Sequence, residues 1–93
     1  MKNIPLITKE EIPSFDIIHR HGEMTSEDEK LLRSKMEKAM LLGNGYKGKV
    51  RIVFETELGP RAVETTVWSA DNKGIALKSG VYIPLDAVID VEL

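Results

Sequence analysis

The second half of the chain alternates apolar and polar residues, and this pattern restricts the possible folds more than any other feature. In the segment 46–93, apolar side chains recur at every second position, as in Val50, Ile52 and Phe54. Successive side chains of a strand point to opposite faces, so the alternation predicts half-buried β-strands. Residues typical of turns separate the runs at 59–60, 71–74 and 79–80. The segment is therefore predicted to consist of short strands joined by tight turns.

A one-turn break over 84–87 separates the last two of five predicted strands. This arrangement of a strand, a short break and a final strand is the usual ending of Src-homology-three-like and Sm-like barrels. We therefore predict an α+β fold, mainly β, in which 46–93 forms a five-stranded antiparallel meander that curls into a small Src-homology-three-like barrel.

A helix is predicted over about 26–42, before the strands. Ser26 and Glu29 have the spacing of a capping box, and Gly43 can end the helix in a left-handed conformation. Placed at 100° steps, the apolar residues fill about half of the helix circumference: Leu31, Leu32, Met36, Ala39, Met40 and Leu42. Within this apolar face, the residues expected to be buried against the barrel are Leu32, Met36 and Ala39.

The N-terminal segment 1–24 contains Pro5 and Pro13, which disfavour helix, so an extended arm or a short strand is predicted. It has more apolar residues than a free tail needs: Ile4, Leu6, Ile7, Ile12 and Phe15. The arm is expected to pack on its own barrel or across a homodimer. We predict a single domain, 1–93, in which the arm is followed by a helical segment, 25–43, and a β segment, 46–93.

Composition excludes several classes of function. The formal net charge is −2 and neither half of the chain is basic, which argues against a strong non-specific nucleic-acid binder. Cysteine is absent, so disulfides and thiolate metal sites are excluded. The sequence has no apolar run that could span a bilayer and no signal-peptide pattern at its start. We expect a cytoplasmic protein that does not associate with membranes.

The stretch GNGYKGKV, residues 43–50, fits the glycine spacing of dinucleotide-binding loops. Such loops act by presenting phosphates to the N-terminus of a helix. Here the loop follows the predicted helix, at the end where carbonyl groups repel phosphate. The hydroxyl that holds magnesium in a P-loop is replaced by Val50. We therefore predict no nucleotide and no other cofactor.

Residues suited to metal binding or catalysis are sparse. His19 and His21 could share a metal, but zinc sites use three or four protein ligands. Serine catalysis needs an oriented base, for which only these two histidines are available. Asp86 is expected to cap the one-turn break, and Asp90 to face solvent. The sequence predicts no metal, no catalytic residue and no enzymatic activity.

The candidate partner-binding residues are Trp68, Tyr46 and Tyr82. Strict alternation places Trp68 opposite the barrel side of its strand, where it either packs under the helix or anchors a partner. The sequence favours packing, because the apolar face of the helix needs a cover. The leading hypothesis is a small interaction or regulatory module that binds a protein.

An alternative hypothesis is a weak Sm-like RNA-binding module. Its nucleic-acid-binding residues would be Lys47, Lys49 and Arg51 on the first barrel strand. Glu55 and Glu57 continue the same face with opposing charge, so nucleic acid is not favoured. A third hypothesis, a small enzyme or ligand carrier with a site under the helix, has no residue signature.

Two stretches carry a resemblance to known proteins. ETTVWSA at 64–70 and LKSGVYIPL at 77–85 resemble a small bacterial family of uncharacterised, hypothetical proteins, over about the last third of the chain. That resemblance implies no activity and no site residues. Segment 80–88 also resembles the final strand, turn and strand of Src-homology-three-like barrels. The paired aromatics of their proline-peptide groove are missing, which argues against peptide binding of that type.

Overall fold

The computed structural model of the chain describes residues 3–19, 25–45, 48–71, 73–77 and 80–92. They form an α+β structure, mainly β, with one long helix beside two sheets, which confirms the predicted fold class. The elements in chain order are β1 (Leu6–Ile7), the 3₁₀ helix η1 (Lys9–Ser14), α1 (Ser26–Gly45), β2 (Val50–Thr56), β3 (Gly59–Thr65), β4 (Val67–Ala70), β5 (Gly74–Leu77), β6 (Tyr82–Pro84), the 3₁₀ helix η2 (Leu85–Ala87) and β7 (Val88–Glu92).

The strands form two separate sheets. Sheet A has the order β1-β3-β2-β7, and sheet B has the order β4-β5-β6. β1 runs parallel to β3, and the other neighbouring strands are antiparallel. The chain passes from sheet A to sheet B at Thr66, between β3 and β4, and returns through η2.

The prediction of a five-stranded meander closed into a Src-homology-three-like barrel is wrong. The described residues contain seven strands in two sheets and no closed barrel. One reason is that the segment between the predicted turns at 59–60 and 71–74, which was expected to be one strand, changes sheet at Thr66. The other is that α1 packs against β4 and β7, which are edge strands of sheets B and A. Apolar side chains of the helix therefore cover the gap that strand pairing would close in a barrel. The predicted strand, one-turn break and final strand are present as β6, η2 and β7.

The helix begins one residue from the predicted cap. The Thr25 hydroxyl accepts a hydrogen bond from the Asp28 backbone N–H at 3.1 Å, so Thr25 rather than Ser26 caps the helix. The Thr25 carbonyl also accepts the Glu29 backbone N–H at 3.0 Å. At the other end, α1 continues to Gly45, so Gly43 lies within the helix and does not cap it.

The helix buries a narrower face than its apolar pattern indicates. Leu32, Met36 and Ala39 are buried, as predicted. Leu31 is 59% exposed, because adjacent residues of a helix point about 100° apart and the neighbouring Leu32 faces the core. The buried face joins the inward sides of both sheets in one core: Ile12, Leu32, Met36, Ala39, Val50, Ile52, Phe54, Val63, Val67, Ile75, Leu77, Ile83, Leu85, Val88 and Val91.

The N-terminal segment wraps around the β2–β3 hairpin. β1 pairs with β3, and η1 then carries the chain to the other side of the hairpin, where Ile17 forms a bridge with Thr56. The Glu57 backbone N–H donates to the Asp16 carbonyl at 3.0 Å. Ile12 anchors the segment, since its side chain is only 2% exposed. Residues 3–19 thus pack on their own chain, the first of the two alternatives for the arm.

We expect Ile12→Ala to lower the free energy of unfolding by about 2–5 kcal/mol, because it removes buried methyl groups and leaves a cavity. Leu6→Ala is the matched control on the same segment, since Leu6 is 54% exposed. That change should cost about 0.5 kcal/mol or less. Urea denaturation of both variants measures the difference. Equal effects would show that Ile12 does not anchor the segment.

Substitution at the helix start tests the position of the cap. Thr25→Ala should lower the free energy of unfolding by about 0.5–2 kcal/mol, because the Asp28 N–H loses its acceptor. Ser26→Ala should have little effect or stabilise slightly, since alanine is the better helix former at the first position of α1. Thermal melts of the two variants distinguish Thr25 from Ser26; a larger loss for Ser26→Ala would restore the capping box predicted from the sequence.

Candidate interaction surface

Trp68 lies on the outward side of sheet B, at a β-bulge. Val67 pairs with Leu77 and Ser69 pairs with Ala76, so Trp68 is the extra residue on β4. Its side chain is 59% exposed, whereas Val67 is buried. The prediction that Trp68 packs under the helix is therefore wrong. Instead, Val67 and Ala70 belong to the core or pack against it.

A row of residues crosses sheet B at this point. Ser69, Ala76 and Tyr82 are consecutive partners on β4, β5 and β6, so their side chains share one face. Neighbouring strands are about 4.8 Å apart, which places β4 and β6 about 10 Å apart. Trp68 and Tyr82 thus flank the small side chain of Ala76. We call this set, Trp68, Ser69, Ala76 and Tyr82, the aromatic face.

The ring of Tyr82 is held against the backbone of Gly74. These residues are diagonal neighbours, because Gly74 pairs with Pro84, two positions beyond Tyr82. A Cβ atom at Gly74 would lie 2.7 Å from the Tyr82 hydroxyl oxygen, and closer still to the carbonyl oxygen of Ile83. Only glycine fits at position 74. Because glycine has no side chain to shield its backbone, the Tyr82 ring covers that backbone instead. Tyr82 nevertheless remains 45% exposed.

Asp71 fixes the turn that leads to Gly74. Its Oδ1 accepts hydrogen bonds from the backbone N–H groups of Lys73 at 2.8 Å and Gly74 at 3.0 Å. The Lys73 carbonyl in turn accepts the Leu85 backbone N–H at 2.8 Å. This last bond brings η2, which contains Asp86, to the same end of sheet B.

Asp86 does not have the role that was predicted for it. It lies within η2, where Pro84 occupies the N-cap position and no side chain caps the helix. Its Oδ1 lies 2.7 Å from Nδ1 of His19, which ties the N-terminal segment to η2. Asp90, which was predicted to face solvent, has a side chain that is 45% exposed and accepts a hydrogen bond from Lys35 Nζ at 2.8 Å.

Burial raises the pKa of the Tyr82 phenol above its ordinary value, and the negative charges of Asp71 and Asp86 raise it further. Asp71 bonds to the N–H of Gly74, on which the Tyr82 ring lies, and Asp86 belongs to the 3₁₀ helix that is tied to the same turn. One end of the aromatic face is acidic.

In the described residues, the predicted basic face is interrupted by acidic side chains. Lys49 is exposed, but Arg51 donates a hydrogen bond from Nη2 to Glu64 Oε1 at 3.2 Å. Arg51 also has Glu92 as its partner on β7. Tyr46 and Lys47, which were predicted to belong to the partner-binding and RNA-binding surfaces, lie outside the described residues.

His21, the second histidine of the predicted metal pair, also lies outside the described residues. Among the described residues, no group of three or more His, Asp or Glu side chains is arranged to hold a metal ion.

A shallow groove lies between α1 and the end of β4. Its volume is about 170 Å³, and its lining is Arg33, Met36, Glu37, Ala70 and Asp71. Typical small-molecule sites have volumes of about 300–1,000 Å³, so this groove is small for a ligand carrier.

Comparison of the chain with protein-family models, with curated proteins and with solved structures finds no match in any of the three. None of the helices in the described part of the chain is both long and apolar enough to cross a membrane.

Trp68 and Tyr82 were candidate partner-binding residues from the sequence, but the sheet face that they share was not predicted. The bulge at Trp68 leaves no signal in the alternating pattern, and the contact between Asp86 and His19 spans 67 residues. Gly74 does carry a signal, because a glycine at the start of a strand indicates close approach of another group.

We expect Tyr82 to ionise above the usual tyrosine value of about 10. The chain has two tyrosines, so Tyr46→Phe leaves Tyr82 as the single phenol for titration by ultraviolet absorbance. Because the native pKa is raised, the native state holds this proton more tightly than the unfolded chain does. Its contribution to stability is complete below pH of about 10 and is lost as the pH rises through the native pKa.

Adding Asp71→Asn to the Tyr46→Phe variant should move the titration of Tyr82 towards the value of the unfolded chain. Asparagine keeps the Oδ1 acceptor of the turn and removes the charge. A native titration that coincides with the one measured in denaturant would contradict the raised pKa.

Proposed function

We propose that the chain is a small, non-catalytic interaction module that binds a partner protein through the aromatic face of sheet B. The observation that carries the proposal is the exposure of two large aromatic side chains, Trp68 and Tyr82, on one sheet face with the small Ala76 between them. Tryptophan and tyrosine are enriched among the residues that dominate binding energy at protein interfaces.

The aromatic face is separate from the core, which supports a role in binding rather than in folding. The inward side of sheet B is already filled by Val67, Ile75, Leu77 and Ile83. Trp68 points away from that side, because it directly follows the buried Val67 in the strand. Truncation of Trp68 should therefore change stability by about 0.5 kcal/mol or less, as for surface substitutions elsewhere.

Catalysis is not part of the proposal, because active sites usually gather oriented acid–base groups around a pocket. Here the Asp71 carboxylate accepts backbone N–H groups within its own turn, and Asp90 pairs with Lys35. RNA binding is disfavoured by the charges around Arg51, since Glu64 and Glu92 on the neighbouring strands repel phosphate.

The test is capture of partners from a cell lysate with the tagged full chain, with and without nuclease, followed by mass spectrometry. We expect a protein that remains bound after nuclease treatment and is lost with Trp68→Ala. Leu58→Ala is the matched control, because Leu58 is 64% exposed on the β2–β3 turn, away from sheet B. It should retain the partner.

The single tryptophan also reports on the same surface. Binding should shift its fluorescence emission to shorter wavelength as Trp68 leaves water. Partners that disappear with nuclease, or that bind Trp68→Ala as well as the wild type, would refute the proposed surface.

A further inference from the structure

We propose that the aromatic face receives an arginine-bearing segment of the partner, with the guanidinium stacked on the aromatic rings beside Asp71 and Asp86. This inference rests on the proposed function and specifies the chemistry of the partner.

The geometry of the two rings suits a flat cation. Arginine stacks on tyrosine and tryptophan faces, with the guanidinium within about 6 Å of the ring centre. The Tyr82 ring covers Gly74 and is still 45% exposed, so part of it is available to a ligand. The side chain of Ala76 is small and leaves room between Trp68 and Tyr82 for the methylene groups of an arginine.

The charges at one end of the face suit the same ligand. Asp71 and Asp86 approach this end of the face from two different elements, the β4–β5 turn and η2. Asp71 accepts the N–H of Gly74, on which the Tyr82 ring lies, and the Leu85 N–H ties η2 to the same turn. Their positions are fixed by hydrogen bonds to the turn backbone and to His19. Lys73 is exposed in the same turn and opposes them with one positive charge. His19 contacts Asp86, and with this histidine neutral two carboxylates against one ammonium leave this end of the face attractive to a cation.

Arginine fits these features better than lysine does. Its planar guanidinium can stack on a ring and donate to a carboxylate at the same time, whereas an ammonium is a compact and strongly hydrated charge. The chain itself contains such a contact, in which the Arg61 guanidinium lies 5.7 Å from the centre of the Phe15 ring.

Synthetic peptides of one length test the inference directly. The probes carry a central arginine, lysine, citrulline or leucine in an otherwise identical glycine–serine context, and are titrated to millimolar concentration against the isotope-labelled full chain by NMR. Citrulline has the shape of arginine without its charge. We expect the arginine peptide to bind most tightly, with shifts at Trp68, Ala76 and Tyr82, and to weaken as salt rises, because screening shortens the reach of the carboxylates.

Variants separate the aromatic and the acidic contributions. Trp68→Ala should weaken the arginine peptide by about threefold or more. The double variant Asp71→Asn with Asp86→Asn should weaken it by about threefold to tenfold and remove most of the salt dependence. Asparagine keeps the acceptor oxygens of both sites, so the fold is retained, and Leu58→Ala should have no effect.

The outcomes distinguish the inference from the proposed function. Equal binding of the arginine and citrulline peptides, or stronger binding of the leucine peptide, would overturn the inference and leave the aromatic face as an apolar docking surface. Absence of shifts on sheet B with every peptide, while Trp68→Ala still abolishes capture of the partner, would likewise overturn only the inference. Capture that is unaffected by Trp68→Ala would remove both.

Discussion

The packing of α1 across the edges of two sheets is the interaction on which the rest of the structure depends. Leu32, Met36 and Ala39 reach a core whose remaining walls are the inward faces of sheets A and B. β4 and β7 belong to different sheets, yet both lie against this helix. A small chain cannot leave such a gap exposed, because its buried apolar surface is only just sufficient for stability. The helix therefore replaces the strand pairing that would close a barrel.

The arrangement of sheet B follows from this packing. β4 has to place Val67 and Ala70 on the core side, although two residues separate them, and plain alternation cannot do so. The bulge at Trp68 supplies the extra residue and sends both Trp68 and Ser69 outward. The bulge thus adds Ser69 to the outward side, where alternation from the buried Val67 already places Trp68. Trp68 and Tyr82, on either side of Ala76, give the outward side of sheet B its aromatic character.

The acidic end of the aromatic face is assembled from segments that are distant in the sequence. Asp71 in the β4–β5 turn and Asp86 in η2 lie at the same end of sheet B, because the Leu85 N–H bonds to the Lys73 carbonyl. His19 joins Asp86 from the N-terminal segment. The arm, sheet B and η2 therefore meet at the acidic end of the aromatic face. On sheet A the charges alternate instead, with Arg51 between Glu64 and Glu92.

The sequence by itself determined the long helix, the predominance of strands after it and the mixture of helix and strand. Period-two alternation marked the strands, and glycine and proline marked the turns, because these signals depend on a few adjacent residues. It also determined which helix side chains, Leu32, Met36 and Ala39, are buried. Only the tertiary structure decided the split into two sheets at Thr66, the wrapping of residues 3–19 around the β2–β3 hairpin and the fact that the helix leaves Trp68 uncovered. Each of these depends on contacts between residues far apart in the chain, and local patterns carry no record of such contacts.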